Sequence, residues 1–456
     1  MREEGAAGRA LGSLWRGAAF AQDEARREGA RGFEGPDMQT AVDLIVKSRG
    51  PWLTLDTGAR GPRTGLELTK LAEKRGLAAA CLDGRIRAIG PAAEIGRDFG
   101  AARVLDLGDR LVMPGFVDPH THPVFNATRE AEFEMRCQGR TYVDIAKAGG
   151  GIRSSVRSLR AAGEDELVEK VRARADRFLA FGTTTIEAKS GYGLSTADEL
   201  KSLRALKRVA AAHPLDLIPT FMGAHEIPDE YRERRGAYID LLVDEMIPAV
   251  ALEGLARYCD VFCEDHVFTV EESRRILLAA KSCGLEPRIH ADEIECTGGA
   301  ELAADVGAVS ADHLVAVSAR GIARLKEAGV VPVLLPGTSF YLRLEKKAPA
   351  RAMIDAGLPI ALATDFNPGS CPIASMAVIV SLACLQYGLT TAEAITAATV
   401  NAAYSLGLGD DRAVLAPGRR ADLIALDVPN AAAIPYHFGE NRVTHVVKNG
   451  VVVVGA

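Results

Sequence analysis

The sequence predicts an α/β fold in which a closed parallel (β/α)8 barrel carries a small β-sandwich domain made from both chain ends. The middle of the chain alternates strand-like apolar runs with helical stretches eight times, which favours a TIM-type barrel over an open doubly wound sheet. The two ends instead contain short strands separated by tight turns. A length of 456 residues accommodates one large catalytic domain with a smaller attachment.

The β-sandwich is predicted to combine residues 38–112 with residues 413–456, and the barrel is predicted to occupy residues 113–412. Asp83-Gly84 and Asn449-Gly450 each separate two alternating apolar runs, as β-hairpin turns do. Residues 1–37 are rich in Ala, Gly, Arg and Glu and show no strand or amphipathic pattern. We expect a poorly ordered tail there, or an extension from an upstream start codon with Met38 as the functional beginning.

Eight strand-like runs and the helical stretches after them form the predicted barrel. The first run extends from Leu111 to Val117 as one buried strand, and segments such as ADELKSLRALKRVAAA have helical periodicity. After the barrel, TTAEAITAATVNAAYSLGL begins with Thr390 and Glu393 at capping-box spacing and is predicted to be one packing helix. The barrel strands are expected to end near His122, Ala188, Met222, Cys263, Ala291, Asp312, Leu335 and Thr364.

Composition restricts the class of partner and compartment. The chain has 54 basic and 60 acidic residues and a net charge of -6, which argues against nucleic acid or an anionic membrane and favours a small-molecule substrate. Eight cysteines are scattered without a Cys-x-x-Cys pair, so we expect reduced thiols in a cytoplasmic protein. No apolar run approaches the ~20 residues needed to cross a bilayer.

Two histidines separated by one residue, His120 and His122, follow the first strand. Positions two apart on a strand point the same way, so both imidazoles can hold one metal ion. Taken alone, the pair fits two ordinary hydrogen-bonded side chains equally well. The prediction of a metal site therefore depends on partners elsewhere in the chain.

Those partners occur at the other strand ends, where barrel enzymes place their chemistry. Any one of them fits an ordinary polar loop residue, but a His-x-His pair, a His after strand five, another after strand six and an Asp after strand eight match the ligands of Zn²⁺ or Fe²⁺. The polar residues of this rim are His120, His122, Glu187, Lys189, Tyr192, His225, Glu264, Asp265, His290, Asp292, Glu293, Asp312, His313, Thr338, Ser339, Asp365 and Asn367.

Six segments carry a resemblance to a known family: PGFVDPHTHPVF with Arg129, EAKSGYGL, TFMGAHEIP, HADE, ADHL and ATDFNPGS. From about Ala41 to its C-terminus the chain resembles the amidohydrolase superfamily and, within it, the imidazolonepropionase family, to which EAKSGYGL and ATDFNPGS point. The resemblance implies a hydrolase of histidine degradation that acts on cyclic amides. Its expected reaction opens the ring amide C–N bond of 4-imidazolone-5-propanoate to N-formimidoyl-L-glutamate.

The resemblance also implies one metal per subunit, held by His120, His122, His290 and Asp365. Relatives with two metals use a carboxylated Lys at the end of strand four, where this chain has Cys263 and Glu264. Imidazole and carboxylate ligands suit Zn²⁺ and Fe²⁺ or Fe³⁺, so the identity of the metal stays open. Metal-bound hydroxide is the expected nucleophile.

Roles for the remaining site residues follow from the resemblance. Asp365 and Glu293 are both candidates for the first general base, and His313 is expected to stabilise the developing oxyanion; a fourth metal ligand or a core histidine is the alternative for His313. Arg129 and Tyr192 are expected to bind the propanoate carboxylate. Further substrate contacts are assigned to His225, Glu293, Asn367, Gly369 and Ser370, although Gly369 and Ser370 also fit a plain turn after Pro368.

Two rival functions remain on this sequence. A related cyclic amidohydrolase or heterocycle deaminase would share the metal centre and differ in the acid-binding pocket, which Arg129 and Tyr192 argue for here. A catalytically silent barrel is disfavoured because all four metal ligands are present. A homodimer is expected only because it is the commonest arrangement of soluble oligomers.

Overall fold

The computed structural model describes residues 39–140, 144 and 149–455. The chain divides into two units, Met1–Thr40 and Ala41–Ala456, and the barrel strands belong to the second. The predicted extension over residues 1–37 and the proposed start at Met38 lie outside the described residues.

The secondary structure alternates as the sequence predicts. The strands are β1 (Thr40–Lys47), β2 (Pro51–Leu53), β3 (Glu73–Arg75), β4 (Leu77–Leu82), β5 (Arg85–Pro91), β6 (Phe99–Asp106), β7 (Leu111–Pro114), β8 (Phe116–Asp118), β9 (Thr183–Lys189), β10 (Asp216–Ala224), β11 (Tyr258–Cys263), β12 (Glu286–Ala291), β13 (Ser310–His313), β14 (Val331–Leu334), β15 (Ala361–Leu362), β16 (Leu423–Leu426), β17 (Val443–Lys448) and β18 (Val451–Val454). The α-helices are Ala92–Asp98, Glu130–Cys137, Ile152–Ala161, Glu164–Ala180, Thr196–Ala212, Arg235–Leu241, Ile247–Leu252, Val270–Ser282, Gly299–Val306, Ala319–Ala328, Pro336–Tyr341, Ala350–Asp355, Met376–Tyr387, Thr391–Ala397, Val400–Tyr404 and Ala433–Tyr436.

Strands β8 to β15 form the predicted barrel. They lie side by side in chain order in one eight-stranded sheet, and each hydrogen-bonded neighbour is parallel. Helices follow the strands along the chain, as parallel crossovers require. The predicted fold class is confirmed, and the carboxyl ends of all eight strands face the same end of the barrel.

The barrel closes through the segments that follow β8 and β15. Thr121 pairs in parallel with Phe366, the His122 N–H donates to the Phe366 carbonyl at 2.8 Å, and the Asp365 N–H donates to the His120 carbonyl at 3.0 Å. These bonds hold the two segments side by side beyond the ends of their strands. Three of the predicted metal ligands, His120, His122 and Asp365, therefore take part in the contacts that close the barrel.

The prediction of one continuous strand from Leu111 to Val117 is wrong. The run is divided into β7, which pairs with β16 outside the barrel, and β8, which begins the barrel. Gly115 lies between them, and a Cβ atom at this position would come within 2.3 Å of the Thr184 side chain. The close approach to Thr184 explains the glycine, and the chain changes sheets at this point.

Strands from both chain ends form the predicted β-sandwich. A four-stranded sheet has the order β5-β4-β1-β6, and a six-stranded sheet has the order β18-β17-β16-β7-β2-β3. Val46, Trp52 and Val447, from β1, β2 and β17, belong to one buried apolar core, so the two sheets pack face to face. The predicted boundaries between sandwich and barrel remain a prediction, because Ala41–Ala456 is a single compact unit.

Both predicted hairpins are present. Asp83 and Gly84 join β4 to β5 with φ of 50° and 75°, and Asn449 and Gly450 join β17 to β18 with φ of 48° and 73°. Positive φ at both central residues is the conformation that Asp-Gly and Asn-Gly favour in two-residue hairpin turns. In the described part of the chain, no helix is long and apolar enough to cross a membrane.

The predicted helix after the barrel is instead two short helices. Thr390 and Glu393 form the expected capping box at the start of Thr391–Ala397, but Thr399 departs from helical geometry with φ of -133° and ψ of -85° before Val400–Tyr404 begins. The following segment reaches the barrel interior, where the Tyr258 hydroxyl donates to the Leu406 carbonyl at 2.8 Å. The capping prediction is confirmed, and the single continuous helix is wrong.

Candidate active site

A cavity of about 750 Å³ opens at the carboxyl ends of the barrel strands. Of the twelve residues predicted for the site, only His120 does not line it; its side chain is fully buried. The predicted residues that line the cavity are His122, Arg129, Tyr192, His225, His290, Glu293, His313, Asp365, Asn367, Gly369 and Ser370.

His120, His122 and Asp365 meet at the point where the barrel closes. The Nε2 atoms of the two histidines are 3.3 Å apart. The Oδ1 atom of Asp365 is 3.6 Å from Nε2 of His120 and 3.5 Å from Nε2 of His122. All three side chains are buried, so their electron-pair donors share a small volume from which bulk water is excluded.

His290 and His313 belong to a second group of three around His120. Ring nitrogens of His120, His290 and His313 lie within 4.8 Å of one another, as do the donor atoms of His120, His122 and Asp365. The four predicted ligands therefore occur in two overlapping groups that share His120. His313 adds a fourth histidine nitrogen to this region, and its buried Nε2 has no hydrogen-bond partner.

Two carboxylates fix the orientation of the histidine rings. Asp312 Oδ2 lies 2.6 Å from Nδ1 of His120, and Asp260 Oδ1 lies 3.1 Å from Nδ1 of His290. A proton on each Nδ1 satisfies these contacts and leaves the lone pair on Nε2, which faces the site. This pairing of a carboxylate with a metal-binding histidine is common in metal centres.

The electrostatics favour neutral imidazoles. Burial holds the pKa of His120 well below its usual value, and the positive charge of Lys189 lowers it further. Burial also holds the pKa of His122 well below its usual value. Neutral imidazole is the form that binds metal ions. The Nε2 lone pairs of His120 and His122 face the Asp365 carboxylate at about 3.5 Å, and a cation between these donor atoms would stabilise them. The donor set therefore fits a divalent metal ion.

Asp365 and His313 adopt unusual backbone conformations. Their φ values are 54° and 73°, in the left-handed region that residues with a Cβ rarely occupy. The Thr338 hydroxyl donates to Oδ2 of Asp365. Burial raises the pKa of Asp365 to about 6, although the hydrogen bond from Thr338 opposes this rise. The strained backbone directs both side chains into the cavity.

Glu293 is a second carboxyl group in the cavity. Its Oε1 lies 3.4 Å from Nδ1 of His313. Burial raises the pKa of Glu293 well above its usual value, and the neighbouring Asp365 carboxylate raises it further. The loop that carries Glu293 is held by Glu264, which accepts a 2.8 Å hydrogen bond from the Ile294 N–H. A carboxyl group with a raised pKa can exchange protons near neutral pH.

Gly369 makes space for Arg129. A Cβ atom at Gly369 would lie 1.8 Å from Nη2 of Arg129, so any side chain there would displace the guanidinium. Arg129 Nε is 3.1 Å from Glu132 Oε2, which leaves the rest of the guanidinium available to the cavity. Asn367 Oδ1 accepts from the N–H groups of Gly369 and Ser370 at 2.8 and 2.7 Å, so these residues also form a turn.

Tyr192 and His225 line the cavity beside His122. The His225 ring stacks on His122 with 5.1 Å between centroids, and Tyr192 lies 5.1 Å from His225. The loop containing Tyr192 is held by the buried carboxylate of Glu199, which accepts hydrogen bonds from the N–H groups of Gly191, Gly193 and Leu194.

Sequence reasoning missed several residues around the site. Asp260 and Arg288 are fully buried within β11 and β12. Because their neighbours are apolar, both segments look like ordinary buried strands in the sequence. A spacing of two residues places Arg288 on the same face of its strand as His290, and this signal could have found it. Thirteen further residues line the cavity without having been predicted, and five of them are ionisable: Arg136, Glu226, His266, Glu345 and Lys346.

Comparisons with known sequences agree on one family. Residues 145–454 match the model of the amidohydrolase family. An imidazolonepropionase from Symbiobacterium thermophilum is 51% identical over 417 residues, which cover 91% of this chain and 97% of that protein. An imidazolonepropionase from Geobacillus kaustophilus is 50% identical over 82% of this chain and 88% of its own length.

Solved structures with low sequence identity share the fold. A zinc-bound adenosine deaminase from Xanthomonas campestris is 19% identical with a TM-score of 0.65, and the alignment covers 91% of this chain and 94% of that one. A 5-methylcytosine deaminase from Klebsiella pneumoniae is also 19% identical, with a TM-score of 0.67 over 90% and 98% of the two chains. These similarities bear on the fold alone.

Proposed function

The chain belongs to the amidohydrolase family and, within it, to the imidazolonepropionases, and on this premise we propose how its cavity performs their reaction. It hydrolyses the ring amide C–N bond of 4-imidazolone-5-propanoate and releases N-formimidoyl-L-glutamate, a step of histidine degradation. The observation that carries the assignment to this cavity is that eleven of the predicted site residues line it together.

Arg129 binds the propanoate carboxylate. Its guanidinium lies in the cavity against Gly369, and a guanidinium can donate two parallel hydrogen bonds to a carboxylate. Tyr192, which lines the same cavity, can add a hydroxyl donor. Together these groups orient the substrate so that its ring points toward the buried histidines.

His120, His122, His290 and Asp365 hold one divalent metal ion. When bound, such an ion polarises a carbonyl oxygen and lowers the pKa of a coordinated water from about 15.7 to about 7. Zinc is the metal to load first, because a fold neighbour contains it, and iron is the second choice since the ligand types suit both. His313 lies within 4.8 Å of His120 and His290 through its ring nitrogen.

Proton transfer uses the two cavity carboxyl groups. Asp365 accepts the proton of the attacking water, and Glu293 delivers a proton to the ring nitrogen that leaves. The raised pKa of Glu293 favours its protonated form, which can donate a proton. His313, with Glu293 Oε1 at 3.4 Å from its Nδ1, donates a hydrogen bond to the carbonyl oxygen as negative charge develops there.

The same proposal covers partners and compartment. The net charge of -6 disfavours nucleic acid and anionic membranes, and a small carboxylate substrate matches the cavity. All eight cysteines are free, as expected in a reducing cytoplasm. A homodimer is the oligomer to test first.

The function is tested by turnover of 4-imidazolone-5-propanoate with zinc-loaded protein and detection of formimidoylglutamate. Arg129→Ala should raise KM about 10- to 100-fold, because a charged hydrogen bond contributes about 1.5–3 kcal/mol. Arg208→Ala is the control, since Arg208 is exposed and lines neither this cavity nor the neighbouring one that Arg129 also borders. Release of ammonia from a heterocyclic amine, with no formimidoylglutamate, would instead support a deaminase.

A further inference from the structure

Beneath the site histidines lies a buried ion cluster that no step of the proposed mechanism uses. The Nζ atom of Lys189 is 2.6 Å from Glu187 Oε1, 2.6 Å from Asp260 Oδ2 and 4.0 Å from Asp312 Oδ2. All four side chains have no exposed surface. We call Lys189, Glu187, Asp260, Arg288 and Asp312 the Lys189 cluster.

Each carboxylate near Lys189 also contacts the segments that carry the metal-binding histidines. Asp260 faces Nδ1 of His290 and Asp312 faces Nδ1 of His120, at 3.1 and 2.6 Å. Glu187 Oε2 accepts a 3.3 Å hydrogen bond from the N–H of Thr121, the residue between His120 and His122. One ammonium therefore lies between the groups that orient three of the four proposed ligands.

The Lys189 cluster contains more acidic than basic side chains. Three carboxylates face two cations, since Arg288 Nη2 lies 3.3 Å from Asp312 Oδ2 and 2.8 Å from the Pro119 carbonyl. Burial disfavours the ammonium of Lys189, but Asp260 and Glu187 raise its pKa above the usual value. With all three carboxylates ionised, the Lys189 cluster carries one net negative charge.

We propose that Lys189 is a positioning residue for the metal centre: it holds Asp260 and Asp312 so that His290 and His120 present Nε2 to the ion. This inference rests on the proposed metal centre. Without the ammonium, the two carboxylates lose their shared partner and repel each other in a region of low dielectric. Loss of groups that orient metal-binding histidines lowers metal affinity by about 10- to 100-fold.

Lys448 offers a matched control in the same chain. Its Nζ is also fully buried and lies 2.8 Å from Asp216 Oδ2 and 2.8 Å from Asp422 Oδ2. Asp216 begins β10, so this pair of ion contacts lies at the amino end of the barrel strands, opposite the cavity. Replacing Lys448 therefore removes a buried lysine from two carboxylates without touching a residue that orients a histidine.

The experiment compares Lys189→Met with Lys448→Met after removal of metal by chelation. Zinc Kd is measured by competition with a chromogenic chelator, and the visible absorption spectrum of the Co²⁺-loaded protein reports ligand geometry. We expect Lys189→Met to raise the zinc Kd about 10- to 100-fold and to alter the Co²⁺ spectrum. Lys448→Met should lower Tm and leave both metal readouts unchanged. A folded Lys189→Met variant with wild-type Kd and spectrum overturns the inference.

A second variant removes the unpaired charge that Lys189→Met leaves behind. In Lys189→Met with Glu187→Gln, one charge of each sign is lost, so folding should be retained where the single variant fails. Asp260 and Asp312 still lack their ammonium, and we expect zinc Kd to stay raised. A return to wild-type Kd overturns the inference. Failure of the wild-type chain to bind zinc would contradict the proposed function instead.

Discussion

Gly369 has no side chain, and the guanidinium of Arg129 occupies the space where one would be. The family resemblance assigned this glycine a substrate contact, and that role remains untested. The structure gives the residue a different physical reason, which is the room it leaves for the arginine. A substitution at Gly369 should therefore act on substrate binding through Arg129.

Gly369→Ala should raise KM for 4-imidazolone-5-propanoate about 10- to 100-fold, because a displaced Arg129 loses a charged hydrogen bond to the substrate carboxylate. The value of kcat should change less, since no ligand or proton carrier moves. Gly163→Ala is the control, because a Cβ there meets no atom within 4 Å. Steady-state kinetics checks both variants, and an unchanged KM in Gly369→Ala would show that Arg129 does not bind the carboxylate.

Residue types at strand ends were predictable, but their supporting partners were not. His120, His122, His290, His313 and Asp365 follow apolar runs, and the barrel prediction alone places them on one rim. Asp260 and Arg288 lie inside strands. The local sequence pattern does not reveal the function of a single polar residue among apolar ones. The contacts of these two residues with His290 and Asp312 depend on neighbouring strands, which local pattern does not specify.

At the scale of elements, short sequence motifs predicted the hairpin turns and the helix cap. Contacts between residues distant in sequence determine where a strand or a helix is interrupted. Asp83-Gly84 and the Thr390 capping box form as expected because their partners are a few residues away. The division of β7 from β8 at Gly115 depends on contact with Thr184, which is distant in sequence. Thr399 likewise interrupts a helical pattern where the chain turns into the barrel.

The loop between β9 and helix Thr196–Ala212 carries Tyr192 and is held by Glu199. Glu199→Gln places an amide nitrogen opposite a backbone N–H, because both carboxylate oxygens accept from the loop. We expect KM to rise and Tm to fall, with about 1–3 kcal/mol lost for the unsatisfied group.

Glu393→Gln is the control for the loop prediction. Glu393 accepts from the Thr390 N–H and pairs with Arg351, and neither partner lines the cavity. This variant should lower Tm and leave KM unchanged. Kinetics and thermal unfolding of the two variants separate loop positioning from general stability, and equal KM values would contradict a positioning role for Glu199.

At the scale of the whole molecule, the proposed ligands are far apart in sequence and meet only in the folded barrel. His120 and His122 follow β8, His290 lies in β12 and Asp365 follows β15, so a bound ion would link the first, fifth and last barrel strands. The composite sandwich was predictable because both ends share hairpin patterns. The overlap of the two ligand groups at His120 was not predictable from the sequence, because it depends on closure of the barrel.

Stepwise addition of zinc to metal-free protein, with turnover of 4-imidazolone-5-propanoate measured at each step, tests the central claim most directly. One ion held by His120, His122, His290 and Asp365 should carry the hydrolysis. Formimidoylglutamate production should therefore rise in proportion to bound zinc and reach its maximum at one zinc per chain. Full turnover by metal-free protein, or no turnover by protein that has bound one zinc per chain, would contradict it.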